Sequence, residues 1–93
     1  MTAISGQKTV AASGTAVVLG SVRIDGPLLV KALDTNTGVV ALGNDGSGDV
    51  TLSNGLRLEA GELVVFEYVG ELASLYLDAE VNGEGVSWIA LNI

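Results

Sequence analysis

Short apolar runs, separated by turn-forming residues at intervals of about ten, are the feature of this sequence that most limits its fold. Leu63–Tyr68 is the most apolar of these runs, and Asn54-Gly55 is the strongest hairpin turn signal. No apolar pattern at helical spacing extends beyond about two turns. We therefore predict an all-β fold, a small antiparallel sandwich or jelly-roll-like barrel of about eight short strands.

The segment Leu28–Asn44 has the clearest strand pattern in the chain. Two apolar runs, Leu28–Leu33 and Val39–Leu42, flank the residues Asp34–Gly38, which favour turns. We predict a β-hairpin here, with the second run returning antiparallel to the first. Lys31 lies on a strand face that we expect to be half-buried, where it could pair with an acid across a subunit boundary.

A second segment near the C-terminus repeats this arrangement of strand, polar turn and strand. Leu75–Glu80 alternates, which places Tyr76, Asp78 and Glu80 on the predicted solvent side. Val86–Leu91 is predicted to pair back onto it, with Trp88 facing the core.

The length of 93 residues predicts one domain with a thin core, which buries only about 60–65% of the unfolded surface. The chain has no cysteine, so it cannot form disulfides. Its hydrophobic fraction of 48% supplies more apolar side chains than a thin core needs. Small domains without such cross-links often depend on oligomerisation. We predict a flexible N-terminal arm over residues 1–6, a single β domain over residues 7–93, and self-association.

The formal net charge of −7 argues against two classes of partner. An acidic chain is repelled by phosphate backbones and by anionic lipid, so we expect neither nucleic acid nor membrane. No apolar run reaches the roughly 20 residues that span a bilayer. The N-terminal sequence lacks a secretory signal pattern, so synthesis in a cytoplasm is expected.

The absence of histidine and cysteine removes the common catalytic triads and the usual zinc, copper and haem ligands. Two carboxylate pairs remain, Glu59 with Glu62 and Asp78 with Glu80, and we interpret both as solvated surface rather than as a glycosidase site. The loop 44–49 begins like a calcium site, but Leu56 stands where the bidentate glutamate belongs. We therefore predict no enzyme activity, no cofactor and no metal.

Three stretches, taken in order, resemble small β-rich virion proteins of tailed bacteriophages. They are IDGPLLVKALDTNTGVVALGN, LSNGLRLEAGELVVFEY and LYLDAEVNGEGVSWIAL, within roughly residues 24 to 91. The resemblance implies a structural role as a decoration (cement) protein of the head, which often acts as a homotrimer on the major capsid protein. It implies a location on the capsid surface of the virion and brings no catalytic residues.

The alternative is a receptor- or glycan-binding module of a phage fibre or tail. Tyr76, the one aromatic residue predicted to be exposed, and the loop 43–49 would then carry recognition. For the decoration protein, the residues predicted at subunit or capsid interfaces are Leu63, Val65, Lys31 and Ile4. Leu63 and Val65 are chosen because Leu63–Tyr68 is apolar on both faces, so that one face is left for a neighbouring subunit.

Overall fold

The computed structural model describes residues 2–44, 50 and 54–92. Within this part of the chain there are eight strands and one 3₁₀ turn, Leu72–Ser74. The strands are β1 (Thr2–Thr9), β2 (Val17–Val18), β3 (Leu28–Ala32), β4 (Val40–Gly43), β5 (Leu56–Leu58), β6 (Leu63–Phe66), β7 (Tyr76–Ala79) and β8 (Gly85–Asn92).

The strands form two four-stranded antiparallel sheets, which confirms the predicted all-β sandwich. Sheet A has the order β1-β8-β3-β6, and sheet B has the order β2-β7-β4-β5. Every connection passes from one sheet to the other, except that β4 and β5 are neighbours in sheet B. This is the strand order of an eight-stranded jelly roll. The sheets stay separate rather than closing into a barrel.

The predicted hairpin over Leu28–Asn44 is wrong. β3 pairs with β6 and β8 in sheet A, whereas β4 pairs with β5 and β7 in sheet B. Both strands are apolar because each contributes residues to the interior from its own sheet, Leu28 and Val30 from β3, and Val40 from β4. The intervening residues 33–39 therefore connect two layers instead of forming a turn within one sheet.

The predicted second hairpin is wrong for the same reason. β7 is a central strand of sheet B, and β8 pairs with β1 and β3 in sheet A. Leu77 and Val86, which are both fully buried, belong to opposite layers of the core. Alternating apolar residues indicate that a segment is a strand with one buried face, but they do not indicate which strand it pairs with.

Residues 2–6, which we expected in a flexible arm, form the first part of β1. β1 pairs with β8 at eight successive positions, from Thr2 opposite Asn92 to Thr9 opposite Gly85. Ile4 packs against the core of its own chain. The small, polar side chains of this segment carry little strand signal, and its structure comes from backbone pairing with β8.

The core lies between the two sheets. Its fully buried large side chains are Val10, Ile24, Leu28, Val30, Val40, Leu72, Leu77 and Val86. Trp88 is partly buried against this core, as predicted, and its ring lies over Gly6. A Cβ atom at Gly6 would come within 3.0 Å of that ring, so this position on β1 fits only glycine without rearrangement.

Candidate interaction surface

The outer face of sheet A is the side that points away from the core. On β3, Leu28, Val30 and Ala32 are buried, while Leu29 and Lys31 lie on the opposite, partly exposed face. Cross-strand partners share a face, so the register of the sheet identifies the remaining outer residues. They are Ala3, Ser5, Gln7, Thr9, Ser87, Ile89, Leu91, Leu63 and Val65.

One row across this face is almost wholly apolar. Ser5 lies opposite Ile89, Ile89 opposite Leu29, and Leu29 opposite Val65. Val65 is 57% exposed and Ile89 is 47% exposed. Large apolar side chains with this exposure, adjacent on three neighbouring strands, form a continuous patch rather than scattered surface residues.

Leu63, 53% exposed, extends the patch in the next row. A shallow groove of about 260 Å³ lies at the other end, between Pro27 and Leu91. We call this surface the outer apolar patch, and its residues are Pro27, Leu29, Leu63, Val65, Ile89 and Leu91.

The outer face of sheet A carries no acidic residue at its strand positions, although the chain has eleven acids. Its one base there is Lys31, whose Nζ lies 3.3 Å from both carboxylate oxygens of Asp34. The strand positions of this face are therefore close to neutral on a molecule with a net charge of −7. Lys31, which we expected to find its acid across a subunit boundary, has one within its own chain.

The structure brings three of the four predicted interface residues together. Leu63, Val65 and Lys31 lie on the outer face of sheet A. Ile4 lies on the inner face of β1, so it is not part of the outer apolar patch. Sequence reasoning missed Leu29 and Ile89, because their contribution to the patch depends on β3, β6 and β8 being neighbours.

The two predicted carboxylate pairs have different surroundings. Glu62 accepts a hydrogen bond from the backbone N–H of Glu59 through Oε1 at 2.7 Å, and both residues are exposed, as predicted. Asp78 is only 3% exposed, so its predicted place on a solvated face is wrong. Its Oδ1 accepts hydrogen bonds from the N–H groups of Gly14 at 3.0 Å and Ala79 at 2.8 Å, and these replace water.

A larger, polar cleft of about 520 Å³ lies beside the 33–39 connection. Glu59 and Glu80, one residue from each predicted pair, both line it. Oε1 of Glu80 accepts a hydrogen bond from the Val39 N–H at 3.1 Å, so this carboxylate fixes the local backbone. Acidic side chains and the connection between the sheets thus line the same cleft.

The Glu84 carboxylate makes three hydrogen bonds to the same connection. Its Oε2 accepts hydrogen bonds from the Thr37 N–H at 2.8 Å and the Thr37 hydroxyl at 2.9 Å, and its Oε1 accepts one from the Gly38 N–H at 3.1 Å. These bonds favour the ionised carboxylate. The Thr37 N–H is the largest contribution to a pKa for Glu84 below the usual 4.5.

The aromatic residues differ from expectation in one respect. Tyr76 is half-buried, and Tyr68 is the exposed aromatic at 58%. The Tyr68 hydroxyl accepts a hydrogen bond from Nη2 of Arg23 at 3.3 Å. Tyr68 lies two residues after the end of β6, and its exposure could not be predicted from a segment whose two faces are both apolar.

The described part of the chain offers neither a metal-binding cluster nor a membrane-spanning helix. No group of three or more acidic, histidine or cysteine side chains there could hold a metal ion. Residues 45–49 of the loop that begins like a calcium site lie outside that part. Nor do the described residues include a helix long and apolar enough to cross a membrane.

Comparison of the chain with protein-family models, with curated proteins and with solved structures gives no match.

Proposed function

We propose that this chain is a structural virion protein, a decoration (cement) protein that stabilises a phage head as a homotrimer. The observation that carries the proposal is the outer apolar patch. Removing apolar surface from water on association favours the complex by about 25 cal/mol per Å². A patch of this kind on a small domain is typical of a protein interaction site.

The mechanism is mechanical rather than chemical. Each subunit buries its outer apolar patch against a neighbour, and the trimer spans adjacent copies of the major capsid protein. Binding across those contacts opposes the internal pressure of a packed head. The acidic remainder of the surface keeps the free protein soluble before it reaches the particle.

The fold is compatible with this role. Jelly rolls are frequent among viral capsid domains and also occur in lectins. Because one fold serves many functions, it is the outer apolar patch and not the fold that supports this role. The resemblance of residues 24 to 91 to phage virion proteins supports the particle as the proposed place of action.

Cosedimentation with empty heads tests the proposal, using heads assembled from the major capsid protein encoded with this chain. The unmodified protein is expected to pellet with heads and to raise their resistance to heat. Leu63→Asp is expected to weaken binding strongly, because loss of the trimer removes multivalent attachment. Leu56→Asp is the matched control, since Leu56 is 49% exposed but lies on β5 of sheet B. An unmodified protein that stays in the supernatant would contradict the proposal.

A receptor- or glycan-binding module is the second candidate function. It is favoured by Tyr68, an exposed ring with the Arg23 guanidinium beside it, since aromatic rings with polar neighbours are suited to sugar binding. A glycan array distinguishes the two. Binding that is lost in Tyr68→Ala, together with no binding to heads, would favour the module over the decoration protein.

A further inference from the structure

The free edge of β1 is a second feature of the surface, separate from the outer apolar patch. Two sheets of four strands have four edge strands, and their lengths differ widely. β1 has eight residues, β6 has four, β5 has three and β2 has two. Among the described residues, the backbone of β1 bonds to β8 alone, so its other edge has no strand beside it.

An exposed edge of this length is normally blocked. Proteins protect edge strands by keeping them short, or with proline, bulges or charged side chains. β2, β5 and β6 are protected by their length. β1 contains no proline, pairs with β8 without a bulge, and has one charged residue, Lys8, near its end. The backbone N–H and C=O groups along its free edge are therefore suited to pair with a further strand.

The charges of β1 favour another copy of β1 as that strand. The segment Thr2–Thr9 has no acidic residue, in contrast to the chain as a whole. In an antiparallel pair of two β1 strands, the two Lys8 side chains lie at opposite ends of the ladder. Such a pair has twofold symmetry, in which the same surface meets itself.

We propose that β1 pairs antiparallel with β1 of a second copy, with Ser5 opposite Ser5 of that copy. This register keeps Thr2–Lys8 paired and places Ile4 opposite Gly6 of the second copy. Gly6 carries no side chain and has the Trp88 ring beside it, so the larger Ile4 gains an apolar neighbour there. Ile4 is only partly buried in one copy, and pairing covers it further.

Disulfide trapping tests the register. The chain has no cysteine, so an introduced thiol is its only one. Directly opposite Cα atoms are about 4.5–5.5 Å apart, within the range of a disulfide. Ser5→Cys is expected to give a covalent dimer under mild oxidation. Gln7→Cys, on the same face of the same strand, is the matched control, because its two copies would be about 14 Å apart.

Three results would overturn the proposal. One is that Ser5→Cys stays monomeric on a denaturing gel without reductant. Another is that Ser5→Cys and Gln7→Cys dimerise equally, which indicates random collision. The third is that Ser5→Cys crosslinks to a cysteine-substituted segment of the major capsid protein on heads and not to itself, since the edge would then accept a strand from another protein.

Sedimentation measurements with lysine variants give a second test that needs no covalent bond. Ser5→Lys places two like charges directly opposite each other, whereas Gln7→Lys adds the same charge opposite Ala3. Ser5→Lys is expected to raise the dissociation constant of this contact about fivefold relative to Gln7→Lys. Equal effects of the two variants would contradict the register.

The crosslinking test is independent of the proposed function. Crosslinking through Ser5→Cys reports contact between β1 strands whether or not the outer apolar patch forms a trimer. A trimer without the crosslink would contradict only the proposed β1 contact. A crosslink without a trimer would contradict only the proposed role of the outer apolar patch.

Discussion

Glu84 shows how one residue fastens the connection between the two sheets. Its carboxylate accepts three hydrogen bonds from Thr37 and Gly38, while Asn36, which is buried, donates through Nδ2 to the carbonyl of Gly85 at 2.9 Å. Adjacent residues at the start of β8 thus hold the segment that leads from β3 to β4. Sequence reasoning placed these residues in turns, but contacts across more than forty positions could not be read from it.

The lowered pKa of Glu84 predicts a dependence of stability on pH. The ionised carboxylate favours the folded state, so its contribution is present above the usual value of 4.5 and is lost as pH falls through the lower folded pKa. Glu84→Gln is therefore expected to lower the melting temperature at neutral pH, with the difference from the unmodified protein disappearing in acid. Thermal melts across this range check it. Glu67→Gln, at an exposed position, is the control, and an unchanged difference at all pH values would contradict the assignment.

Gly85 is a second residue at which a substitution has a clear expected effect on stability. A Cβ atom there would overlap the carbonyl oxygen of Lys8 on β1, so alanine cannot be accommodated without opening this end of the β1–β8 pair. Gly85→Ala is expected to reduce the free energy of unfolding by about 1–3 kcal/mol in urea titrations. Ser87→Ala, on the same strand and partly exposed, is expected to change it by less than about 0.5 kcal/mol. Equal effects would show that the backbone at Gly85 is less closely packed.

The local sequence pattern predicted that the strands exist, but not which strands pair with each other. Leu28–Leu33 contains β3 and Val39–Leu42 overlaps most of β4, as expected, yet the two strands lie in different sheets. A jelly roll places consecutive strands in opposite layers, so the polar residues between them are crossings and not tight turns. The 3₁₀ turn at Leu72–Ser74 belongs to the crossing between β6 and β7.

The strand arrangement predicts which apolar residues stabilise the sandwich. Leu77 of β7 is fully buried between the layers, whereas Leu56 of β5 is 49% exposed in the same sheet. Leu77→Ala is expected to cost about 2–5 kcal/mol in chemical denaturation. Leu56→Ala is the control and is expected to cost much less. Comparable losses would contradict the placement of the core between sheets A and B.

The whole molecule presents two separate surface features, an apolar face and an open strand edge. Leu63 and Val65 could be predicted as surface candidates, because β6 is apolar on both faces. Leu29, Ile89 and Leu91 join them only in the folded sheet, where β8, β3 and β6 are neighbours. The absence of acids from the strand positions of this face likewise depends on the register, since acids occur close to all of these strands in the sequence.

If the outer apolar patch is buried between subunits, as we propose, sedimentation velocity detects the resulting oligomer. At micromolar concentration, the unmodified protein is expected to sediment as a trimer of 9.4 kDa chains, or as a larger species in which such trimers are joined through β1. Val65→Asp is expected to sediment as a smaller species, because a carboxylate in this interface would be buried without a partner. Val22→Asp, at a valine that is 48% exposed outside the strands of sheet A, is expected to remain a trimer. A stable monomer of the unmodified protein would contradict the claim.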